Sequence, residues 1–256
     1  MTDAQLQPVL YEVRDAVAHV TLNQPQNRNA LTEVLVSGVH GALTTMIDDD
    51  AARLCVLTNT PPAFCSGADL SHTGARSNRH LTNLLELIVG SPKPIIAKIN
   101  GFCLGGGIGI AAACDLSVAT TGSIFGFSEV RVGVAPAIIS VYCLPKLPRA
   151  DALELFLTGT RFDATKAAQL RLITRACPGA EVDAVVEDWV ANILLGGPKA
   201  LTAAKDMIYR VAEVSRRDAL EKMTQLSAEL FSSPEAQEGI TAFREKRRPS
   251  WSHVID

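Results

Sequence analysis

The chain has 256 residues, 47% of them apolar and 20% charged, with a formal net charge of -3. That suits one large globular domain, or one domain plus an extension, and it offers no general basic surface for nucleic acid. Six cysteines without CxxC spacing exclude a disulfide framework or a zinc site and read as small hydrophobes in apolar runs.

In chain order, Val9 to Val13 and Val17 to Leu22 predict a β-hairpin with Arg14-Asp15 at the turn. The polar loop NQPQNRNALT follows, and Thr32 or Asn29 is a candidate cap for a helix carrying Leu35, Val39, Leu43, Met46 and Ile47. Leu54 to Leu57 reads as a buried strand, and AFCSGADL as a loop with one glycine between small residues. Ser71 to Arg79 is polar, His80 to Val89 is helical in period, and Ile95 to Ile99 is a second buried strand. Leu116 to Ala119 adds another strand, so strand and helix alternate as a parallel sheet with crossover helices requires. Beyond Pro136 helical periods dominate, at Ala150 to Leu157, Ala164 to Leu170, Val182 to Leu195, Ala200 to Val211 and Arg217 to Phe231; only Leu172 to Cys177 reads as extended. The N-terminus lacks a basic stretch followed by an apolar core, and no run is long enough to span a membrane, so a cytoplasmic protein without membrane insertion is expected.

The stretch from Pro94 to Glu129 organises the rest. Asn100-Gly101 breaks the strand, and Gly105-Gly106-Gly107 with Gly109 opens a helix whose first turn is nearly bare of side chains. Such a turn exposes unpaired N–H groups and the positive end of the helix dipole, and its glycines allow close approach. A dinucleotide is one candidate ligand, because Gly107 to Ala112 fits G-x-G-x-x-A, yet the second strand ends in threonines where that fold needs an acid. A phosphate loop fails for want of Gly-Lys-Ser/Thr. The remaining candidate is an oxyanion hole built from two glycine loops, each following a strand.

FCSGADL at 64–70, INGFCLGGGIGIAAACDL at 99–116 and FGFSEVRVGVAPAIIS at 125–140 resemble the three signature stretches of the enoyl-CoA hydratase/isomerase (crotonase) superfamily. NRNALT at 27–32 and AFREKRRPSW at 242–251 match that family's early and late segments, so the resemblance spans essentially the whole chain. It implies an α/β fold, a crotonase-like spiral of ββα units over residues 1–196, with a C-terminal helical trimerisation region at 197–256. It also implies a homotrimer or a hexamer built as a dimer of trimers. The apolar positions Leu220, Met223, Leu226 and Leu230 suit such packing but equally suit an intramolecular core.

The resemblance further implies that the Ala68 and Gly106 amides hold a thioester oxygen, with Glu129 as the acid/base. It assigns substrate binding to Arg28, Ala30, Ser66, Asp69, Leu70, Gly105, Pro136 and Lys246. The substrate is an acyl-CoA thioester, and neither metal nor other cofactor is required. The family's hydratases carry two glutamates around a water molecule; here the second is Glu129, while the first position is Gly109. One carboxylate suffices to move a proton between C2 and C4 of an enoyl thioester, which is isomerase chemistry. SEVRVGVAPAIIS, in contrast, resembles a subgroup assigned as hydratases of branched or methylglutaconyl-type esters. The expectation is therefore a hydratase/isomerase-type enzyme with one glutamate. A 3,2-enoyl-CoA isomerase and a non-catalytic acyl-CoA binder are the alternatives.

Overall fold

A computed structural model describes residues 7–69 and 75–252. The predicted hairpin forms as β1 (Val9–Arg14) and β2 (Val17–Leu22), but its two-residue turn is Asp15-Ala16, one residue later than expected. Both turn residues take positive φ, 50° and 64°, the geometry that matches the twist of a tight hairpin. Helix α1 (Glu33–Asp48) is capped by Thr32, whose hydroxyl accepts from the Leu35 amide at 3.2 Å. Asn29 does not cap it.

The larger sheet runs β1-β2-β3-β5-β7-β10, with β3 (Leu54–Asn59), β5 (Ile95–Ile99), β7 (Leu116–Thr120) and β10 (Arg175–Cys177). Only the β1–β2 pair is antiparallel. Both faces are covered, which explains why its central strands are apolar without alternation. Cys55, Leu57, Ile95, Ala97 and Ile99 face the main core with α1, α2 (Ala75–Gly90) and α3 (Gly106–Ala113). Their neighbours Leu54, Val56, Ile96 and Val118 turn the other way, onto Val182, Val186, Val190 and Leu194 of α7 (Val182–Leu194).

A second sheet, β4-β6-β8-β9, corrects the expectation that AFCSGADL is all loop and that only 172–177 is extended in the last part of the chain. Its strands are β4 (Ala63–Cys65), β6 (Phe102–Leu104), β8 (Ile124–Gly126) and β9 (Arg161–Asp163). Between β8 and β10 come the short α4 (Ala137–Cys143), then α5 (Arg149–Thr158) and α6 (Ala164–Gln169).

The chain ends in α8 (Pro198–Glu213), α9 (Arg216–Ser232) and α10 (Pro234–Glu245), each of the last two opened by a serine cap. Few of their residues are buried, so individual polar contacts tie them to the core. Lys205, 9% exposed, reaches Asp115 Oδ2 at 3.0 Å and the Ile88 carbonyl at 2.9 Å. Arg53 donates to the carbonyls of Gly196 and Trp251. Leu220, Phe231 and Phe243 of α9 and α10 remain exposed. Among the described residues no helix is long and apolar enough to cross a membrane.

Candidate active site

Strands β4, β6 and β8 lie side by side and parallel, with Ala63 opposite Phe102 and Leu104 opposite Gly126. Their carboxyl ends therefore open on one edge, where parallel sheets commonly bind ligands. β4 leads into Ser66-Gly67-Ala68, β6 into Gly105-Gly106, and β8 into Phe127-Ser128-Glu129. The Gly105 amide donates to the Gly126 carbonyl at 3.0 Å, holding two of these exits together. Gly67 (φ 96°) and Gly105 (φ 50°) make the sharp turns and face each other: a Cβ on Gly105 would lie 3.6 Å from the Gly67 Cα.

The two expected donors meet in this arrangement. Leu31 pairs with Ala68 in a parallel bridge, and the Leu31 amide donates to the Gly67 carbonyl at 2.9 Å. In that pattern the ladder uses the groups flanking Ala68, which leaves the Ala68 N–H outside it. Gly106 is the first residue of α3, so its N–H has no acceptor within the helix and points along the positive end of the dipole.

Ala68, Gly106 and Glu129 line one cleft of about 540 Å³. Its other walls are largely apolar: Leu31, Leu81, Val132, Val134 and the start of α4, including Pro136, Ile138 and Ile139. Glu129 sits not on a strand but in the 3-10 turn Ser128–Val132, closed by Gly133 in the left-handed conformation. Its Oε1 lies 2.8 Å from where a Gly105 Cβ would be, and its Oε2 is buried without a hydrogen-bond partner. Burial pushes the Glu129 carboxyl above its ordinary value, partly offset by a hydrogen bond from its own amide. Glu129 is the one titratable side chain among the described residues lining the cleft.

The remaining predicted residues divide. Pro136 and Gly105 belong to the cleft region. Arg28 is exposed at the loop's surface with φ 57°, and its carbonyl accepts from the Ser66 amide at 3.0 Å, so the Arg28-Ala30 loop and the Ser66 loop are joined. Asp69 is half-buried, and Leu70 lies outside the described residues. Lys246 is not brought into the cleft wall. It closes α10 at φ 54°, and the segment after it is held at Trp251 by Arg53, which precedes β3.

Asn29 was expected only as a possible cap, yet it does more. Fully buried, it accepts from the Gln24 amide at 2.7 Å and donates to the Ala63 carbonyl at 2.7 Å. It thereby pins the Arg28 loop to the start of β4. A second residue without an expected role is Ile139, whose Cγ2 would lie 2.3 Å from a Cβ on Gly109. A glycine inside a helix costs about 1 kcal/mol relative to alanine, and such a close neighbour is the usual reason for one. Among the described residues no cluster of three or more His, Cys, Asp or Glu gathers to hold a metal.

Ala68, Gly106 and Glu129 share this cleft on a mixed α/β fold of the crotonase type. The chain belongs to the enoyl-CoA hydratase/isomerase family, whose profile matches residues 12–254. It is 31% identical over 263 residues to an enoyl-CoA isomerase/hydratase of Mycosarcoma maydis, covering 96% of each chain. An enoyl-CoA hydratase structure from Mycobacterium smegmatis matches 95% of this chain and 98% of its own, at 30% identity and TM-score 0.89. One from Shewanella pealeana matches 97% of each chain at 27% identity and TM-score 0.90.

Proposed function

We propose that the cleft binds an enoyl-CoA thioester with its carbonyl oxygen between the Ala68 and Gly106 amides, and that Glu129 alone moves the proton. The supporting observation is that Glu129, whose buried Oε2 has no hydrogen-bond partner, lines a largely apolar cleft together with Ala68 and Gly106. Removing a proton beside a thioester carbonyl sends an electron pair onto that oxygen. Fixed N–H donors stabilise the resulting enolate, and losing one such donor costs about 3 kcal/mol. The raised Glu129 carboxyl suits reversible proton transfer, since a base that must also return its proton works best nearer the operating pH. The CoA moiety runs along the joined loops of Arg28, Ala30, Ser66 and Asp69, with the exposed Arg28 guanidinium available to a phosphate. No Lewis acid takes part in this scheme, because the thioester itself supplies the acidity. The exposed apolar residues of α9 and α10 serve the expected trimer or hexamer.

The test follows conjugated-enoyl absorbance with a 2-enoyl-CoA and a 3-enoyl-CoA supplied separately to the wild type and to Glu129→Gln. The expected result is turnover by the wild type, lowered about 10²–10⁴-fold in the variant. Wild-type rates in Glu129→Gln refute the role of Glu129. Saturable binding without turnover of either ester makes the protein an acyl-CoA binder instead.

A further inference from the structure

We infer that Ile139 is the residue that decides what this site does with the activated substrate, by occupying the space where a water molecule and a second acid would have to stand. The inference rests on the proposed role of Glu129 and adds a specificity determinant to it.

Gly105 and Gly109 are four residues apart, and the Gly109 amide donates to the Gly105 carbonyl at 3.4 Å. Gly105 is the cap of α3, at φ 50°, and Gly109 lies within the helix. A Cβ on Gly105 would meet the Glu129 carboxylate, 2.8 Å from Oε1. One on Gly109 would meet Ile139, 2.3 Å from Cγ2 and 2.8 Å from Cβ. The space beside Gly109 is thus filled by a branched side chain that is itself 2% exposed and that lines the same cleft as Glu129. No substituent on residue 109 fits while Ile139 is there.

The chemistry follows from what the space contains. Hydration adds a water oxygen to C3 and a proton to C2, so a water molecule must be held and deprotonated beside the double bond. Holding it needs polar partners, typically two to four. The wall that carries Ile139 offers Ile138, Ala137, Pro136, Ala135 and Val134, none with a polar side chain, and besides Glu129 the polar side chain among the described residues lining the cleft is Asn78 of α2. Shifting a double bond needs no water. Glu129 takes a proton from C2 of a 3-enoyl thioester, and the electron pair passes onto the thioester oxygen. The same carboxyl then returns the proton to C4 as the C2–C3 double bond forms, with no atom gained or lost. A dry wall at Ile139 favours this second course.

The test compares wild type, Ile139→Val, Ile139→Ala, Gly109→Glu and Gly109→Glu/Ile139→Ala. Chromatography of the CoA esters gives the ratio of hydration to isomerisation, and thermal melts report folding. Wild type is expected to isomerise faster than it hydrates. Ile139→Val keeps the Cγ2 methyl and should keep that ratio. Ile139→Ala should raise the ratio about ten-fold, equivalent to 1.36 kcal/mol between two barriers. Gly109→Glu alone should melt well below wild type, and adding Ile139→Ala should restore much of the loss and raise the ratio further. A merely structural Ile139 would lower both rates together and leave the ratio unchanged in folded Ile139→Ala, which overturns the inference. So does a Gly109→Glu that folds as well with Ile139 as without it, or a double variant that fails to fold. If wild type turns over neither ester, the reading of Glu129 falls, and the melting comparison alone judges whether the two positions share one space.

Discussion

Gly105→Ala separates the folding role of the glycine turn from its functional one. The new Cβ would sit 2.8 Å from Glu129 Oε1 and 3.3 Å from its Cδ, where ordinary contact begins at 3.4 Å. The obstructing atoms are the free end of a flexible side chain, so relief is cheap for the fold: the carboxylate swings away. The backbone also carries a cost, because Gly105 has φ 50° with ψ -121°, outside the left-handed helical well, and an L-residue held there is strained by roughly 1–3 kcal/mol. For a chain of this size that is a melting-temperature loss of about 2–12 °C. The catalytic effect comes on top of that, since a displacement approaching 1 Å of a reacting group costs about 10²-fold in rate, or about 2.7 kcal/mol of barrier. Enoyl-CoA turnover should therefore fall in kcat with KM nearly unchanged, while thermal melts show a folded protein. Gly122→Ala is the control, for nothing lies within 4 Å of its built Cβ, and both activity and melting should stay as they are. A Gly105→Ala enzyme with wild-type kcat would refute the idea that the turn fixes the Glu129 carboxylate for catalysis.

Other expectations rest on burial. Because folding raises the Glu129 carboxyl above its ordinary 4.5, its contribution to stability is fully present in acid and is lost as pH rises through the raised value. The melting-temperature gain of Glu129→Gln over wild type should grow from acid towards neutrality, and a gain that shrinks instead would contradict the burial. Proton transfer by the wild type should fade as pH drops through the same region, where the base is lost. Lys205→Met leaves Asp115 buried without its cation, a loss of about 3–5 kcal/mol, read in melts as about 6–20 °C. Asp115 is already raised by burial despite Lys205, so that deficit should narrow in acid, where the carboxyl becomes neutral; no deficit at pH 7 would refute the idea that this ion pair ties α8 to the core. All six cysteines are buried, and burial pushes Cys65, Cys114 and Cys143 to about 12, so a thiol reagent should label none in the native protein and six after denaturation. Rapid native labelling would show that the core opens.

The centre of the large sheet was legible because β3, β5 and β7 are mostly apolar runs between turn signals. The small sheet was not, since β4, β6, β8 and β9 have three residues each, too short for any period to show. Those strands carry the site, so its architecture stayed hidden although its residues could be named. Glu129, read by spacing alone, alternates with Arg131 as on a half-exposed strand; only the resemblance singled it out, and the structure puts it in a 3-10 turn. The hairpin turn was misplaced by one residue because Asp15-Ala16 has neither the glycine nor the asparagine that such turns favour. Asn29 and Thr32 offered equal capping chemistry, and only the approach of the Ala63 carbonyl, 34 residues away, decides between them. Gly109 did leave a mark in the sequence, as a glycine within a helical run, but its neighbour Ile139 comes from α4, beyond the reach of local pattern.

The register of the small sheet links fold to chemistry. Leu104 stands opposite Gly126, so the chain leaves β6 and β8 at the same height, and the turn Gly105-Gly106 meets the turn that carries Glu129. A one-residue slip between the two strands would part those turns by about 3.3 Å. Phe125 and Phe127 pack against Phe162 of β9, and Phe127 also against Phe156 of α5, which seats the segment that leads to Glu129. The Glu129 Oε2 is left without a hydrogen-bond partner, so burial sets the basicity of the carboxyl, with the hydrogen bond from its own amide offsetting part of the rise.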